Sequence, residues 1–295
     1  MKRKRLTKTE IEHFVLFFPG FFIFCGLIIL SIFLAFYYSF FNWDGLSRTM
    51  SFVGLTNYVR ALKNTGFRIS MRVTFFYAVF GTSITTILAL FLSTVLNQKS
   101  RLTYVYRSAF FFPQLISLVA VGFIFKALLS YIGIVNTFLE NAGIAKINFL
   151  SDPGLAKWTI LMVSVWQTTG FATVLYLAGL QAIPAELYDS AKIDGANAWK
   201  KFRYITFPWL APSFTAVTVF LFTGYMRIFD LIYVLTNGGP AGRTESVAIH
   251  IIRIGFNQFR ISYASAIAMY MLVLVSAISL TLTTLLRRRE NNLIT

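Results

Sequence analysis

The sequence predicts an all-α integral membrane protein with six transmembrane helices. The chain has 295 residues, of which 57% are hydrophobic and only 13% are charged, whereas a soluble domain carries about 25% charged side chains. Six stretches without Asp, Glu, Lys or Arg approach or exceed the roughly 20 residues that cross a bilayer. A soluble fold with a single core does not contain six such stretches.

The apolar stretches define the expected transmembrane domain, 14–286. A basic segment, 1–13, precedes this domain and a second basic segment, 287–295, follows it. Lys126 interrupts the third stretch, and we interpret it as the outer end of that span. The six expected spans are 14–41, 73–96, 108–129, 158–180, 209–235 and 261–286.

The distribution of basic residues predicts that both termini are cytoplasmic. Lys and Arg near span ends are retained on the cytoplasmic side of the membrane. With the N-terminus inside, the inner segments carry 15 basic residues in 60 positions and the outer segments carry 11 in 92. These inner segments are 1–13, 97–107, 181–207 and 287–295, and the outer ones are 42–72, 131–157 and 227–260.

The net charge of +16 does not indicate nucleic-acid binding, because proteins of that kind display Lys and Arg over a water-soluble surface. The first outer loop, 42–72, is nevertheless basic, and its sequence leaves two interpretations open. The loop faces lipid headgroups or the acidic surface of another protein. Its basic residues are Arg48, Arg60, Lys63, Arg68 and Arg72.

The inner segment 183–208 predicts a helix-turn-helix elbow that projects into the cytosol. Pro184 suits the first position of a helix, and the acidic residues Glu186 and Asp189 favour the positive end of its dipole.

A second helix of the elbow follows a reversal at Gly195, which permits the left-handed backbone that ends a helix. Asn197 is able to cap the second helix, and Pro208 closes the unit.

In the last outer segment, Asn237-Gly238-Gly239-Pro240 predicts a tight turn, and 246–259 has the spacing of an amphipathic helix.

The elbow contains an ordered set of short motifs: Asp189-Ser190-Ala191, then Gly195, Ile205 and Phe207-Pro208. Further motifs lie along most of the chain, namely Phe52 to Tyr58, Gln181 to Tyr188, Phe229-Asp230, Leu235 to Pro240 and Tyr263 to Ala266. This set resembles the permease subunits of bacterial binding-protein-dependent ABC importers, in particular the carbohydrate-uptake branch of maltose, glycerol-phosphate and oligosaccharide type. In that family the first motif is Glu-Ala-Ala and the last is Leu-Pro, so three positions differ here.

The resemblance implies the type I ABC importer permease fold in the bacterial cytoplasmic membrane. It also implies a second homologous permease subunit, two ATPase subunits that bind ATP and Mg, an extracytoplasmic solute-binding protein, and a sugar or oligosaccharide as substrate. The elbow would couple this chain to an ATPase subunit. The coupling residues are Glu186, Asp189, Ser190, Ala191, Asp194, Gly195, Ala196, Ile205 and Pro208.

Polar and aromatic side chains on two helix faces predict a substrate path, since polar groups that face lipid are costly. The resemblance places the same positions at the sugar site of maltose-type relatives, and helix packing with polar contacts is the alternative explanation of such faces. The predicted path residues are Gln167, Thr168, Phe171, Leu221, Gly224, Tyr225 and Ile228. An outer turn and gate are predicted at Asp230, Asn237, Gly238, Gly239 and Pro240.

Two other classes of protein fit a chain with six spans. A stand-alone secondary transporter or channel usually needs an ionisable residue deep in the membrane to bind a coupling ion, and the centres of the six stretches contain none. A membrane enzyme would show clustered His, Asp or Cys, but His13 and His250 have no companions at ligand spacing, so no metal or catalytic site is expected. The chain lacks the Gly-x-x-x-x-Gly-Lys-Ser/Thr motif, so ATP hydrolysis would require a partner.

Overall fold

The structure is a computed structural model that describes residues 8–97 and 101–294. Helices dominate this part of the chain, as the sequence predicts. In chain order the α-helices are α1 (Lys8–Phe24), α2 (Leu30–Ser39), α3 (Thr56–Lys63), α4 (Thr65–Phe76), α5 (Thr82–Leu96), α6 (Arg101–Leu115), α7 (Leu118–Leu128), α8 (Ile134–Asn141), α9 (Leu155–Gln181), α10 (Ala185–Ile193), α11 (Ala198–Lys201), α12 (Phe207–Trp209), α13 (Ala211–Met226), α14 (Asp230–Leu235), α15 (Val247–Ile252) and α16 (Ile261–Ile294).

Four short π-helical turns in the described residues connect or extend these helices without ending the helical path. They are Cys25–Ile29, Tyr77–Gly81, Phe202–Thr206 and Arg253–Asn257. Two short strands, β1 (Phe41–Asn42) and β2 (Ser51–Phe52), pair antiparallel in the loop after α2, with Phe41 opposite Phe52.

Five helical segments of the described chain are long and apolar enough to cross a membrane, or six if a bent pair counts as one span. The five are Leu16–Ser39, Thr65–Leu96, Leu155–Gln181, Ala211–Leu235 and Ile261–Arg288. The bent pair is Val105–Leu115 with Leu118–Leu128. The predicted all-α membrane fold is therefore confirmed, while the orientation of the termini stays a prediction.

The ends of the helices differ from the predicted spans where charged residues continue a helix. The second helical segment begins at Thr65 rather than 73, because Arg68 and Arg72 belong to α4. Likewise α16 continues through the predicted basic tail 287–295 as far as Ile294. Residues 1–7 of the other basic tail lie outside the described residues.

The predicted third span, 108–129, is broken in the middle. Helices α6 and α7 meet at an angle of 94°, and Ser117, between them, has an extended backbone with φ −53° and ψ 135°. Pro113 lies inside α6 and removes one backbone donor, which weakens the helix just before the break.

The chain divides into two compact units, and the smaller comprises 1–63 with 251–271. Its first helical segment, Leu16–Ser39, buries none of its apolar residues within the chain, as expected of a helix in lipid. Polar contacts hold the loop that follows: the Asn57 side-chain amide donates to the carbonyls of Ser39 at 3.0 Å and Phe41 at 2.7 Å.

The larger unit comprises 64–250 with 272–295. Its apolar core is built on α9 and on the helices that pack against it, with Tyr77, Ile160, Leu161 and Ile232 fully buried. Helices α6 and α9 approach each other closely at Gly170, where an added Cβ would overlap the backbone carbonyl of Phe110. Gly170 therefore sets the separation of these two helices.

We expect Gly170→Ala to destabilise the protein, because a methyl group at this position collides with backbone rather than with a side chain that is free to rotate. Overpacking of this kind costs about 1–3 kcal/mol in the free energy of unfolding. Unfolding of the detergent-solubilised protein by sodium dodecyl sulfate, followed by circular dichroism, measures the change. Gly26→Ala is the control, since a Cβ there meets no atom within 4 Å, and equal stability of both variants would contradict the prediction.

Candidate functional site

A cavity of about 480 Å³ lies in the larger unit, between α9, α13 and the break that separates α6 from α7. We call it the central cavity. Its wall residues are Gln114, Leu115, Ile116, Ser117, Leu118, Ser164, Gln167, Thr168, Phe220, Leu221, Gly224, Tyr225, Arg227, Ile228, Phe229, Asp230 and Leu231.

The wall brings together the two helix faces that the sequence singled out separately. From α9 come Gln167 and Thr168. The other face contributes Leu221, Gly224, Tyr225 and Ile228. Phe171 does not line the cavity but packs against Phe220 with the two rings tilted by 46° and 5.2 Å between their centroids.

Side-chain hydrogen bonds fix the shape of the central cavity. The Gln167 amide donates to the carbonyl oxygen of Ile116 at 3.2 Å, which is one of the backbone groups that the helix break leaves without its helical partner. The hydroxyl of Tyr225 is buried and lies 2.8 Å from that of Thr85. The wall therefore combines positioned amide and hydroxyl groups with aromatic and aliphatic surface.

Several wall residues were not identified from the sequence, namely Gln114 to Leu118 at the break, together with Ser164 and Phe220. The sequence signal for the first group was Pro113 together with two polar residues inside an otherwise apolar stretch.

At the other end of the wall, Arg227 donates through Nε to the carbonyl of Thr223 at 3.3 Å. No ion pair joins it to Asp230 within the described residues.

The residues of the predicted outer turn and gate do not all lie at one place in the structure. Asp230 lines the central cavity, whereas Asn237, Gly238, Gly239 and Pro240 form a turn after α14 that does not contribute to the wall. Asn237 and Gly238 have positive φ angles of 51° and 82°.

The segment after the turn is helical, as its spacing predicts, over Val247–Ile252 and Arg253–Asn257. His250 is buried there, and its Nδ1 lies 2.9 Å from a carboxylate oxygen of the buried Glu245. The described residues contain no group of three or more His, Cys, Asp or Glu side chains placed to hold a metal ion. Lys126 donates to the carbonyl of Val234 at 3.0 Å, so it pairs within the protein rather than only marking a span end.

The elbow has the two helices and the reversal that the sequence predicts. Pro184 takes the position before α10 rather than the first position inside it. Gly195 adopts φ +67°, and the amide of Ala196 donates to the carbonyl of Ala191 at 2.9 Å, which is the Schellman arrangement of a helix end. The Asn197 side chain caps the next helix by accepting from the amide of Lys200 at 2.8 Å.

One side of the elbow packs on the membrane helices and the other is exposed. Ile205 and Leu187 contact the buried cluster Leu180, Ile183 and Leu210. Pro208 is half-buried in α12. Three large side chains that sequence reasoning did not select lie on the exposed side: Ile193, Trp199 and Tyr204, with 87%, 70% and 73% of their surface accessible.

The acidic residues of the elbow are at its surface. Glu186, Asp189 and Asp194 are exposed, as is Ser190, whose hydroxyl donates to the carbonyl of Glu186 at 2.9 Å. A hydrogen bond of 2.8 Å from Lys192, together with its charge, holds the pKa of Asp189 below its usual value. Asp189 therefore stays ionised at neutral pH.

A match to a known protein family identifies the family of this chain. Residues 81–291 match the family described as the binding-protein-dependent transport system inner membrane component. The chain belongs to this family. It is therefore a permease subunit of a binding-protein-dependent ABC importer. This membership replaces the two alternative classes that the sequence left open, the stand-alone transporter and the membrane enzyme.

Curated permeases share sequence with most of the chain. The trehalose/maltose transport system permease protein MalF of Thermococcus litoralis is 34% identical over 248 residues, which cover 81% of this chain and 83% of MalF. The lactose transport system permease protein LacF of Rhizobium radiobacter is 32% identical over 243 residues, which cover 80% of this chain and 82% of LacF. The probable starch degradation products permease AmyD of Thermoanaerobacterium thermosulfurigenes is 27% identical and covers 98% of both chains.

Solved structures share the fold of this permease. A chain of the bacterial alginate ABC transporter, crystallised with its pentasaccharide-bound periplasmic protein, superposes with a TM-score of 0.83 at 21% identity and covers 96% of each chain. A second crystal structure of an alginate importer gives 0.81 at 22% identity and covers 95% of this chain and 96% of that chain.

We expect Gln167→Leu in this permease to loosen the break between α6 and α7, because it removes the donor to the carbonyl of Ile116. Loss of a partner costs a buried carbonyl about 1–3 kcal/mol, and this carbonyl is part-buried, so we expect about 1 kcal/mol. Because about 1.4 kcal/mol is tenfold in an equilibrium constant, the equilibrium for local opening should rise about fivefold. Hydrogen–deuterium exchange of 113–121, read by mass spectrometry, tests this. Gln181→Leu, at the exposed end of the same helix, is the control, and unchanged exchange in Gln167→Leu would contradict the prediction.

Proposed function

We propose that this permease carries a sugar or oligosaccharide into the cytoplasm and that the substrate passes through the central cavity. The observation that supports this proposal is that all the predicted path residues except Phe171 line one cavity, beside a break in a membrane helix. Backbone without helical partners is tolerated at membrane depth where it lines a cavity. The central cavity is therefore the part of the larger unit best suited to a polar solute.

The chemistry of the wall suits a carbohydrate. Sugar hydroxyls exchange hydrogen bonds with the Gln167 amide and with the hydroxyls of Thr168 and Tyr225, and the apolar faces of sugar rings stack on aromatic rings such as Phe220. The volume of about 480 Å³ falls within the range of about 300–1,000 Å³ typical of small-molecule sites. Relatives named for trehalose and maltose, lactose, and starch products support this class of substrate.

The elbow supports coupling to a separate ATPase subunit. Ile193, Trp199 and Tyr204 each expose apolar surface on a segment that also carries exposed acids, and large exposed apolar side chains on one short segment favour a protein interface. In the proposed assembly the chain pairs with a second homologous permease, two ATPase subunits bind ATP and Mg, and an extracytoplasmic binding protein delivers the solute. Both termini and the elbow then lie in the cytoplasm, in accordance with the distribution of basic residues.

The proposed activity is tested by transport in proteoliposomes that contain the purified complex and its binding protein. We expect uptake of a radiolabelled maltose-type oligosaccharide that requires ATP on the side of the elbow. Uptake driven by an ion gradient without ATP would contradict the proposal, as would ATP-driven uptake of a non-carbohydrate solute alone.

Removal of the Tyr225 hydroxyl should impair transport more than the loss of its bond to Thr85. We expect Tyr225→Phe to lower kcat/KM for sugar uptake about tenfold, since one hydrogen bond to a substrate hydroxyl is worth about 1–1.5 kcal/mol. The matched variant Thr85→Val breaks the same 2.8 Å bond but keeps the Tyr225 hydroxyl in the wall. Equal losses in the two variants would assign Tyr225 a purely structural role.

A bulky residue at Gly195 should uncouple ATP hydrolysis from uptake. Gly195→Leu forces a side chain into φ +67°, which costs about 1–2 kcal/mol, and adds bulk at the apex of the elbow. Gly143→Leu is the control, because Gly143 has φ +75° and equally open surroundings but lies in the loop after α8. We expect weaker co-purification of the ATPase only with Gly195→Leu, at equal membrane insertion, and normal transport by this variant would overturn the coupling role.

A further inference from the structure

A second concave site in the larger unit is lined by cations rather than by neutral polar groups. It has a volume of about 610 Å³ and lies between α4, the start of α9 and the loop after α14. We call it the basic cleft. Its cations are Arg72, Lys157 and Arg243, and its apolar wall is Ile69, Val73 and Phe76.

The basic cleft lies at one end of two membrane-crossing helices. Lys157 is the third residue of Leu155–Gln181, and the α4 residues of the wall belong to the first part of Thr65–Leu96. A helix of 27 residues is about 40 Å long, which exceeds the hydrocarbon thickness of about 30 Å. The ends of these helices, and with them the cleft, therefore lie at the depth of lipid headgroups.

Within the residues that the structure describes, none of the three cations of the cleft forms an ion pair with an acid. Ion pairs in the described chain involve Glu140, Asp189 and Glu245, each with a different basic residue. Asp152 is the acid nearest in sequence to Lys157, and it accepts from the amides of Gly154 and Leu155 instead, at 2.8 Å each. Three positive charges that line one concavity without a carboxylate indicate an anionic ligand.

The apolar wall continues from the cleft onto an aromatic surface along the membrane helix. Lys157 Nζ lies 4.8 Å from the ring centroid of Phe76. Phe76 in turn contacts Trp158 at 4.8 Å and Phe80 at 4.9 Å between ring centroids. Trp158 and Phe80 are exposed, so the cationic site opens onto aromatic surface at the depth where Trp anchors at the headgroup boundary.

We propose that the basic cleft binds the phosphate headgroup of an anionic phospholipid, whose acyl chain lies along the exposed rings of Phe80 and Trp158. The cations attract the phosphate, and the apolar wall contacts the glycerol and the start of the chain. A free phosphate ester would share the headgroup chemistry but gain nothing from the aromatic surface. This site is separate from the central cavity and does not depend on which solute the permease transports.

The test uses the full chain, purified with the subunits that accompany it, stripped of lipid in detergent and titrated with phosphatidylglycerol while native mass spectrometry counts the bound lipids. Each charge near an anionic lipid contributes about 1 kcal/mol, or about a fivefold change in affinity. We therefore expect about fivefold weaker binding for Arg72→Gln and a larger loss when Lys157→Gln and Arg243→Gln are added. Arg68→Gln is the matched control, because Arg68 is exposed on the same helix but does not line the cleft.

Further arms of the experiment separate the possible sources of the anion. Phosphatidylcholine should bind more weakly than phosphatidylglycerol, and inorganic phosphate should not displace the bound lipid. The double variant Arg72→Lys with Arg243→Lys keeps the charges and should bind lipid nearly as the unmodified chain does, which guards against loss of fold in the glutamine variants. Equal lipid binding by the triple glutamine variant and Arg68→Gln would overturn the proposal. Displacement of the bound lipid by inorganic phosphate would also overturn the proposal. So would a triple glutamine variant that binds lipid normally but no longer docks the binding protein.

Discussion

The contact between the Gln167 amide and the carbonyl of Ile116 is the interaction on which the central cavity depends. In a bilayer no water is available to satisfy a backbone carbonyl, so a helix can break only where protein or a water-filled cavity replaces its hydrogen bonds. Gln167 meets this requirement from α9. The 94° bend between α6 and α7 then opens space beside α13, and the wall residues of both helices reach the same volume.

Close packing between α6 and α9 lies about one helical turn along α9 from this opening. At Gly170 the backbones of α6 and α9 are too close for any side chain, so α6 is held against α9 just before the break. Small residues allow such contact in membranes, where the hydrophobic effect does not drive helices together.

The elbow and the basic cleft show how the few charged residues of this chain are used. The elbow keeps its acids at the surface and its apolar side against Leu180 and Leu210, so its shape does not depend on the exposed residues available to a partner. The basic outer loop is partly explained, since its last residue, Arg72, belongs to α4 and faces the cleft. The net charge of +16 thus reflects sites at membrane surfaces rather than a nucleic-acid partner.

The sequence by itself determined the all-α membrane fold, because runs of apolar residues have no stable place in water. It also determined the local chemistry of the elbow, since Gly195 and Asn197 act on hydrogen bonds within a few residues. Only the tertiary structure decided that the third span is broken, that Phe171 supports the wall instead of lining it, and that Asp230 faces the central cavity while the Asn237 turn does not. These outcomes depend on contacts between residues distant in the chain, such as Gln167 with Ile116, which periodicity along one helix does not encode.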